Sequence, residues 1–305
     1  MANNMKKNLK IRHSLSDRTL NTVLMVVFSL FLALILYPLI YVVSSSFSSG
    51  EAVSGGRVIL WPVEPTFFGY HLVFKNKTVW TGYTNTIIYT FAGTVLNLVL
   101  NVMCAYPLSR RNFQGRSLYM IFFMIPMFFS GGLIPSYILI TKLGLINTRW
   151  AIILSGGLSI FNMIMMRTFF MNSIPEELHE AAKIDGITDF GYLFKIVLPL
   201  SKAIMAVITL YYMVGHWNSY FTEMMYLRDR EKYPIQLILR SILSMSRVDP
   251  KDMQGMDGEQ LSQMIGAADV LKYGLIVIST VPILCVYPFI QKYFEKGVMV
   301  GSVKG

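Results

Sequence analysis

The chain has 305 residues, 54% of them hydrophobic and only 14% charged, with 20 Met, 20 Phe and a formal charge of +10. Such a composition is too apolar for one soluble domain and places the chain among polytopic membrane proteins. The four His and two Cys form no cluster with carboxylates at ligand spacing. Neither a Gly-rich Lys-Ser/Thr phosphate loop nor a nucleophile elbow occurs, which argues against a metal centre and against ATP hydrolysis by the chain itself.

A helix needs roughly 20 apolar residues to cross about 30 Å of hydrocarbon. Runs of that kind predict an all-α membrane domain of six transmembrane helices, over about 20–43, 84–106, 118–140, 150–171, 203–221 and 271–290. The first run is too long for a signal-peptide core and lacks a small-residue cleavage site, so it is expected to be retained, with the mature chain beginning near Met1. Lys6, Lys7, Lys10, Arg12 and Arg18 precede it, and Arg110, Arg111 and Arg116 separate the second and third runs. Basic short loops stay in the cytoplasm. That places both termini inside, with a cytoplasmic tail over 291–305 and extracytoplasmic loops over 44–83 and 222–270, and inside bias accounts for most of the positive charge.

Trp80, Trp150 and Trp217 fall near outer ends of spans, as an interfacial belt of indoles requires. The 44–83 loop reads as an ordered external segment. In the second outer loop Ile235, Leu237, Ile238, Ile242 and Leu243 recur at helical spacing and predict one or two short helices. Within the spans Gly131-Gly132, Gly156-Gly157, Pro126, Pro135 and Pro282 read as sites of close helix approach and bending. A hinge role is the second reading for Pro126 and Pro135. Cys104 and Cys285 read as small thiols buried within spans.

No Asp or Glu lies near the centre of any predicted span. A proton- or sodium-coupled carrier would need carboxylates or His chains there, so ion-coupled secondary transport is disfavoured. A membrane scaffold or sensor would need no solute path at all. A passive channel would tolerate bare spans but would not explain the polar, amphipathic stretch from Ser173 to Pro199 on the cytoplasmic side.

In that stretch Ser173 can cap a helix with Glu176 closing a capping box, and Pro175, Glu176 and Glu177 suit a first turn. The helix is expected to end near Asp185, with Gly186 taking a positive φ and Thr188 or Asp189 capping a second helix towards the fifth span. Leu178, Ala181, Ala182 and Asp185 share one arc, and the Ala pair predicts a surface that a partner's cleft approaches closely. An interfacial amphipathic helix, with Lys183 and Lys195 at headgroups, is the other reading.

The spacing Glu180-Ala181-Ala182, then Gly186, Ile196 and Leu198-Pro199, resembles the cytoplasmic loop of binding-protein-dependent ABC importer permeases. Similarity to the carbohydrate-uptake branch extends through Ala105–Arg110, Leu143–Thr148 and the closing segment from Lys296. The resemblance implies a type I importer fold in a bacterial or archaeal plasma membrane, paired with a second permease. It also implies two ATPase subunits that bind ATP and Mg, an external solute-binding protein and a sugar or oligosaccharide cargo, with no catalysis or cofactor on this chain and no nucleic-acid partner. Glu180, Ala181, Ala182, Asp185, Gly186, Ile196, Leu198 and Pro199 would then be the ATPase-coupling residues. Lys296, Gly297 and Lys304 would reach the ATPases from the tail, whose Gly-rich composition otherwise predicts a frayed end. The stretch Gly131–Tyr137 looks most like permeases for larger or acidic saccharides, although the coupling loop itself is compatible with other solutes.

Met213, His216, Trp217, Asn218 and Tyr220, near the outer half of the fifth span, have two readings. Aromatic planes stack on sugars and amide or imidazole groups bond hydroxyls, so they can line a sugar path. They equally suit an interfacial belt.

Overall fold

A computed structural model describes the backbone of residues 15–245 and 258–302 and the side chains of 17–244, 265–286 and 288. All regular structure among these residues is helical. Contacts divide the chain into two compact units, residues 1–69 with 255–274 and residues 70–254 with 275–305.

The first unit holds α1 (Leu15–Ser46), α2 (Gly50–Ser54) and the start of α15 (Gly258–Ser302). Every side chain from Asp17 to Ile40 on α1 is exposed, and apolar residues occupy all sides of it, as in lipid-facing helices. Its C-terminal end is different. Ser44, Ser45, Ser46 and Ser48 are buried, and Ser44 Oγ and Ser48 Oγ donate to the carbonyls of Leu60 (2.6 Å) and Ser44 (2.7 Å). Ala52, Val53, Val58 and Val270 form a small core, flanked by the edge-on pair Tyr41–Tyr273 at 5.7 Å. A Cβ on Gly50 would fall 2.6 Å from the Gly266 backbone, so α2 and α15 cross as closely as two glycines permit.

The second unit is organised around α4 (Lys77–Ser109), which follows the short α3 (Phe68–Lys75). Then come α5 (Arg116–Phe128), α6 (Leu133–Lys142), α7 (Arg149–Leu154), α8 (Ile160–Ser173), α9 (Glu176–Ile184), α10 (Asp189–Tyr192), a π-helical turn at Leu193–Val197, α11 (Leu198–Leu200) and α12 (Lys202–Asn218). The second outer loop supplies α13 (Phe221–Tyr226), a 3₁₀ turn at Arg230–Lys232 and α14 (Ile235–Met245). Ile235, Leu237 and Ile238 are buried, in keeping with the predicted outer helix.

Among the described residues three helical stretches are long and apolar enough to cross a membrane, Asp17–Ser46, Lys77–Ser109 and Ile265–Val286, and the number reaches five if two bent pairs each count as one span. Six continuous spans are therefore not reproduced. The predicted third span is α5 and α6, bent by 111°, and the fourth is broken between α7 and α8. The glycine pairs are the cause. Gly132 and Gly156 have φ of 82° and 71°, and a Cβ on Gly131, Gly132 or Gly156 would meet nothing within 4 Å. These glycines thus supply backbone geometry that ends helices, not the close packing expected of them. Pro135 sits in the first turn of α6, where its missing N–H costs nothing. Cys104 is half-buried and Cys285 exposed, both free, so only Cys104 approaches the predicted burial.

Candidate functional site

The polar stretch folds as two helices meeting at a corner, with its start shifted from the prediction. Ser173 is the last residue of α8, and α9 opens at Glu176 after Pro175 at φ −59° and ψ 144°. Proline disfavours helical backbone in the residue before it. Ile174 is accordingly extended, α8 stops, and Ser173 makes no capping box. The end of α9 follows expectation. Gly186 has φ 72°, Gly186 N–H donates to Lys183 O and Ile187 N–H to Ala182 O, the paired bonds of a Schellman turn. Thr188 Oγ1 then caps α10 by accepting from Gly191 N–H at 3.2 Å.

The residues expected to couple to an ATPase divide into two sets. Glu180, Ala181 and Asp185 are exposed, alongside Leu178. Ala182 is turned inward at 3% exposure and shares a core with Ile174, Tyr192, Val197 and Phe170, against which Ile196 and Leu198 also pack. The predicted Ala pair is thus split, because successive residues on a helix point about 100° apart. Only Ala181 offers a small exposed surface. Pro199 is exposed in α11, next to the 82° bend that joins this element to α12. Ile184 at 87%, Phe190 at 77% and Phe194 at 63% exposure complete an outward apolar set that the sequence reading passed over. Their signal was large apolar residues interrupting a polar stretch.

What holds the corner to the membrane helices was also missed. Arg110 caps the end of α4, and its Nη2 donates to Glu176 Oε1 at 2.8 Å. The side chains are only 14% and 28% exposed. Arg110 also lies over the ring of Tyr192 at 5.3 Å. His179, buried, contacts Asp189 Oδ1 through Nε2 at 3.2 Å and lies edge-on to Tyr192 at 5.0 Å. Tyr106 O–H donates to Asp189 O at 3.1 Å, and Arg167 Nε to Leu108 O at 2.9 Å. Beside this knot is a cavity of about 410 Å³ whose lining includes Met103, Tyr106, Phe113 and Leu193. Lys296 and Gly297 lie on the backbone of α15. The Lys296 side chain, Lys304 and the basic residues before α1 lie outside the described residues.

A family model described as binding-protein-dependent transport system inner membrane component matches residues 97–300. The chain belongs to that family. It is 41% identical over 279 residues, 91% of this chain and 96% of the relative, to the polygalacturonan/rhamnogalacturonan transport system permease protein YtcP of Bacillus subtilis (strain 168). Protein LplC of the same organism is 37% identical over 273 residues, covering 90% of each chain. Among solved structures, a bacterial ABC transporter involved in import of the acidic polysaccharide alginate matches with a TM-score of 0.84 and 37% identity, over 93% of this chain and 99% of that one.

In this permease the predicted path residues are separated. Trp217 is 7% exposed and donates its Nε1–H to Ser279 O at 2.9 Å, so it joins α12 to α15 and is no part of a belt. Trp80 and Trp150 are exposed, as a belt requires. His216 Nε2 lies 2.6 Å from Asn97 Oδ1, joining α12 to α4. Met213 lines a cavity of about 480 Å³ together with Thr90, Thr94, Thr209, Trp217 and Pro282. Asn218 and Tyr220 are exposed, and Arg240 lies 5.0 Å over the Tyr220 ring. The set therefore forms no single wall. The polar stripe that exists is on α4, where Asn85, Thr86, Thr90, Thr94, Asn97 and Asn101 are all buried. Its spacing of three and four residues, scattered through an apolar run, was the readable signal.

Proposed function

We propose that this permease is a translocating subunit of an ATP-driven importer of acidic oligosaccharides delivered by an external solute-binding protein. The observation that carries this reading is that the relative for polygalacturonan and rhamnogalacturonan and the alginate importer both align with nine-tenths or more of the chain. A second permease completes the pathway. Two partner ATPase subunits bind ATP and Mg and receive the exposed side of α9, with Glu180, Ala181, Asp185 and the Gly186 corner at the contact. The membrane is the bacterial plasma membrane, with both termini on the ATPase side. ATP-driven closure of the ATPases moves α9 as a lever and alternates access across the membrane.

The test is purification of the tagged chain in mild detergent, identification of the retained subunits by mass spectrometry, and uptake by the complex in proteoliposomes. A second permease, an ATPase and ATP-dependent uptake of oligogalacturonate in preference to neutral maltooligosaccharide are expected. Recovery of the chain without an ATPase would overturn the importer reading, and preference for the neutral sugar would overturn the cargo.

A further inference from the structure

We infer that Arg110 is the strut that passes movement of α9 into α4, a positioning role for import that rests on the ATPase-docking reading above. α9 presents little to the membrane helices. Its buried residues are His179 and Ala182 alone, the first occupied with Asp189, Tyr192 and, at 3.5 Å through Nδ1, Glu176 Oε1 itself, the second a small side chain. Against α4 the direct polar link is Arg110 Nη2 to Glu176 Oε1, and it joins the first residue of α9 to the cap of α4. Among the described polar contacts, a load applied to α9 therefore meets α4 at this charged pair, beside the apolar core that Ala182 shares with Ala105 and Tyr106.

The geometry suits transmission. The pair is sheltered from water at 14% and 28% exposure, so it is stiffer and less screened than a surface ion pair. The guanidinium is also fixed by stacking on Tyr192, a fully buried ring of α10. Arg110 thus touches both helices of the corner and keeps them in one relation to α4. Pro107 removes a backbone hydrogen bond from the last turn of α4, and that turn is held by Arg110 N–H to Pro107 O (3.0 Å), by Ser109 Oγ to Tyr106 O (2.6 Å) and by the side chain of Arg110.

At its far end α4 is latched to the outer loop. Asn85 Nδ2 donates to Glu231 O at 2.7 Å and Tyr233 O at 3.2 Å, and Tyr89 O–H to Lys232 O at 2.8 Å. A helix of 33 residues spans about 50 Å at 1.5 Å per residue. Displacement received by Arg110 is thereby delivered to the outer loop by one continuous rod.

The experiment uses the assembled importer in proteoliposomes and reads solute imported per ATP hydrolysed, for the wild type, Glu176→Gln, Arg110→Glu, Glu176→Arg and the swap Arg110→Glu/Glu176→Arg. Glu176→Gln keeps the side chain's shape. It is expected to retain the ATPase subunits in wild-type amount and to lower the import-to-hydrolysis ratio about tenfold, within the range of measured coupling effects. The single reversals should be at least as uncoupled, and the swap should recover most of the ratio. A purely structural role would lower assembly and leave the ratio unchanged. A wild-type ratio in Glu176→Gln, loss of assembly in that variant, or a swap no better than the reversals would each overturn the strut. Absence of an ATPase from the wild-type preparation would instead overturn the importer reading beneath it.

Discussion

His216 on α12 donates its imidazole proton to Asn97 on α4, with 2.6 Å between Nε2 and Oδ1. The direction follows from the amide. Asn97 Nδ2 already donates to Gly156 O at 3.1 Å and Gly157 O at 2.7 Å, so its oxygen is the acceptor and the ring carries a proton on Nε2. Tyr212 O–H extends the joint, accepting from Asn101 Nδ2 and from Ser159 N–H. Two side chains of α4 therefore pin the break between α7 and α8, whose backbone groups would otherwise be left without partners inside the membrane. A Cβ on Gly93 would fall 2.4 Å from His216 Nε2, which fixes how close the imidazole lies.

Asn97→Leu should therefore destabilise the permease by about 1–3 kcal/mol, the cost of leaving buried polar groups unpaired. A melting temperature lower by several degrees in detergent is the expected reading. Asn218→Leu, at an exposed position of the same region, serves as control and should melt with the wild type. Equal melting of Asn97→Leu and the control would refute the joint.

Gly186 has φ 72°, and a Cβ there would meet nothing within 4 Å, so the demand at the corner is conformational and not spatial. A β-branched side chain resists that backbone by about 1–2 kcal/mol, whereas Asn tolerates it. Gly186→Val is expected to insert normally and to show impaired ATP-dependent uptake, with Gly186→Asn close to wild type. Normal uptake by Gly186→Val would defeat this account of the corner.

Features set by neighbouring residues were legible in the sequence, and features set by distant ones were not. Gly186, Thr188 and the end of α9 near Asp185 depend on adjacent backbone, and all three emerge as read. Ser173 failed because Pro175 acts on Ile174 more strongly than a capping box attracts. The same glycines that permit close packing also end helices, and only the bend between α5 and α6 distinguishes the two uses. Trp217, Ala182 and Arg110 have roles fixed by Ser279, Tyr192 and Glu176, residues that sequence spacing does not bring together. Apolar runs were found in the right places, yet their continuity was not a property of hydropathy.

Asn147, at φ 60°, gathers the loop that follows α13. Its Oδ1 accepts from Arg228 N–H and Asp229 N–H at 3.1 Å each, and its Nδ2 donates to Asp229 Oδ2 at 2.8 Å. Hydrogen bonds from Lys232 and then Asn147 hold the Asp229 carboxyl below its ordinary value of 3.8. A lowered folded-state pKa gives stability that is present above the unfolded value and is lost as pH falls through the folded one. Protection of the amides over 226–233, corrected for intrinsic exchange, should thus hold at neutral pH and fall only at pH below 3.8. Asp229→Asn should flatten that acid dependence, and Asn147→Ala should reduce protection at every pH. An unchanged acid profile in Asp229→Asn would mean that another group controls the loop.

Ala181 and Ala182 are chemically identical neighbours with opposite surroundings, which makes a matched pair of lysine substitutions informative. Ala181 is exposed on the side of α9 that carries Leu178 and Asp185. A lysine there reaches solvent at little cost to the fold and obstructs a partner's cleft. Ala182 is 3% exposed within the core that contains Tyr192 and Val197, where a lysine both overfills the site and buries a charge. Ala181→Lys is therefore expected to give a normal yield of monodisperse permease that no longer retains the ATPase. Ala182→Lys should lower the yield of folded permease itself, by the several kcal/mol that an unpaired buried charge costs. Size-exclusion chromatography of both variants, followed by mass spectrometry of the retained subunits, separates the two effects. Retention of the ATPase by Ala181→Lys would move the contact off the exposed face of α9, and a folded, ATPase-free Ala182→Lys would show that this alanine also faces the partner.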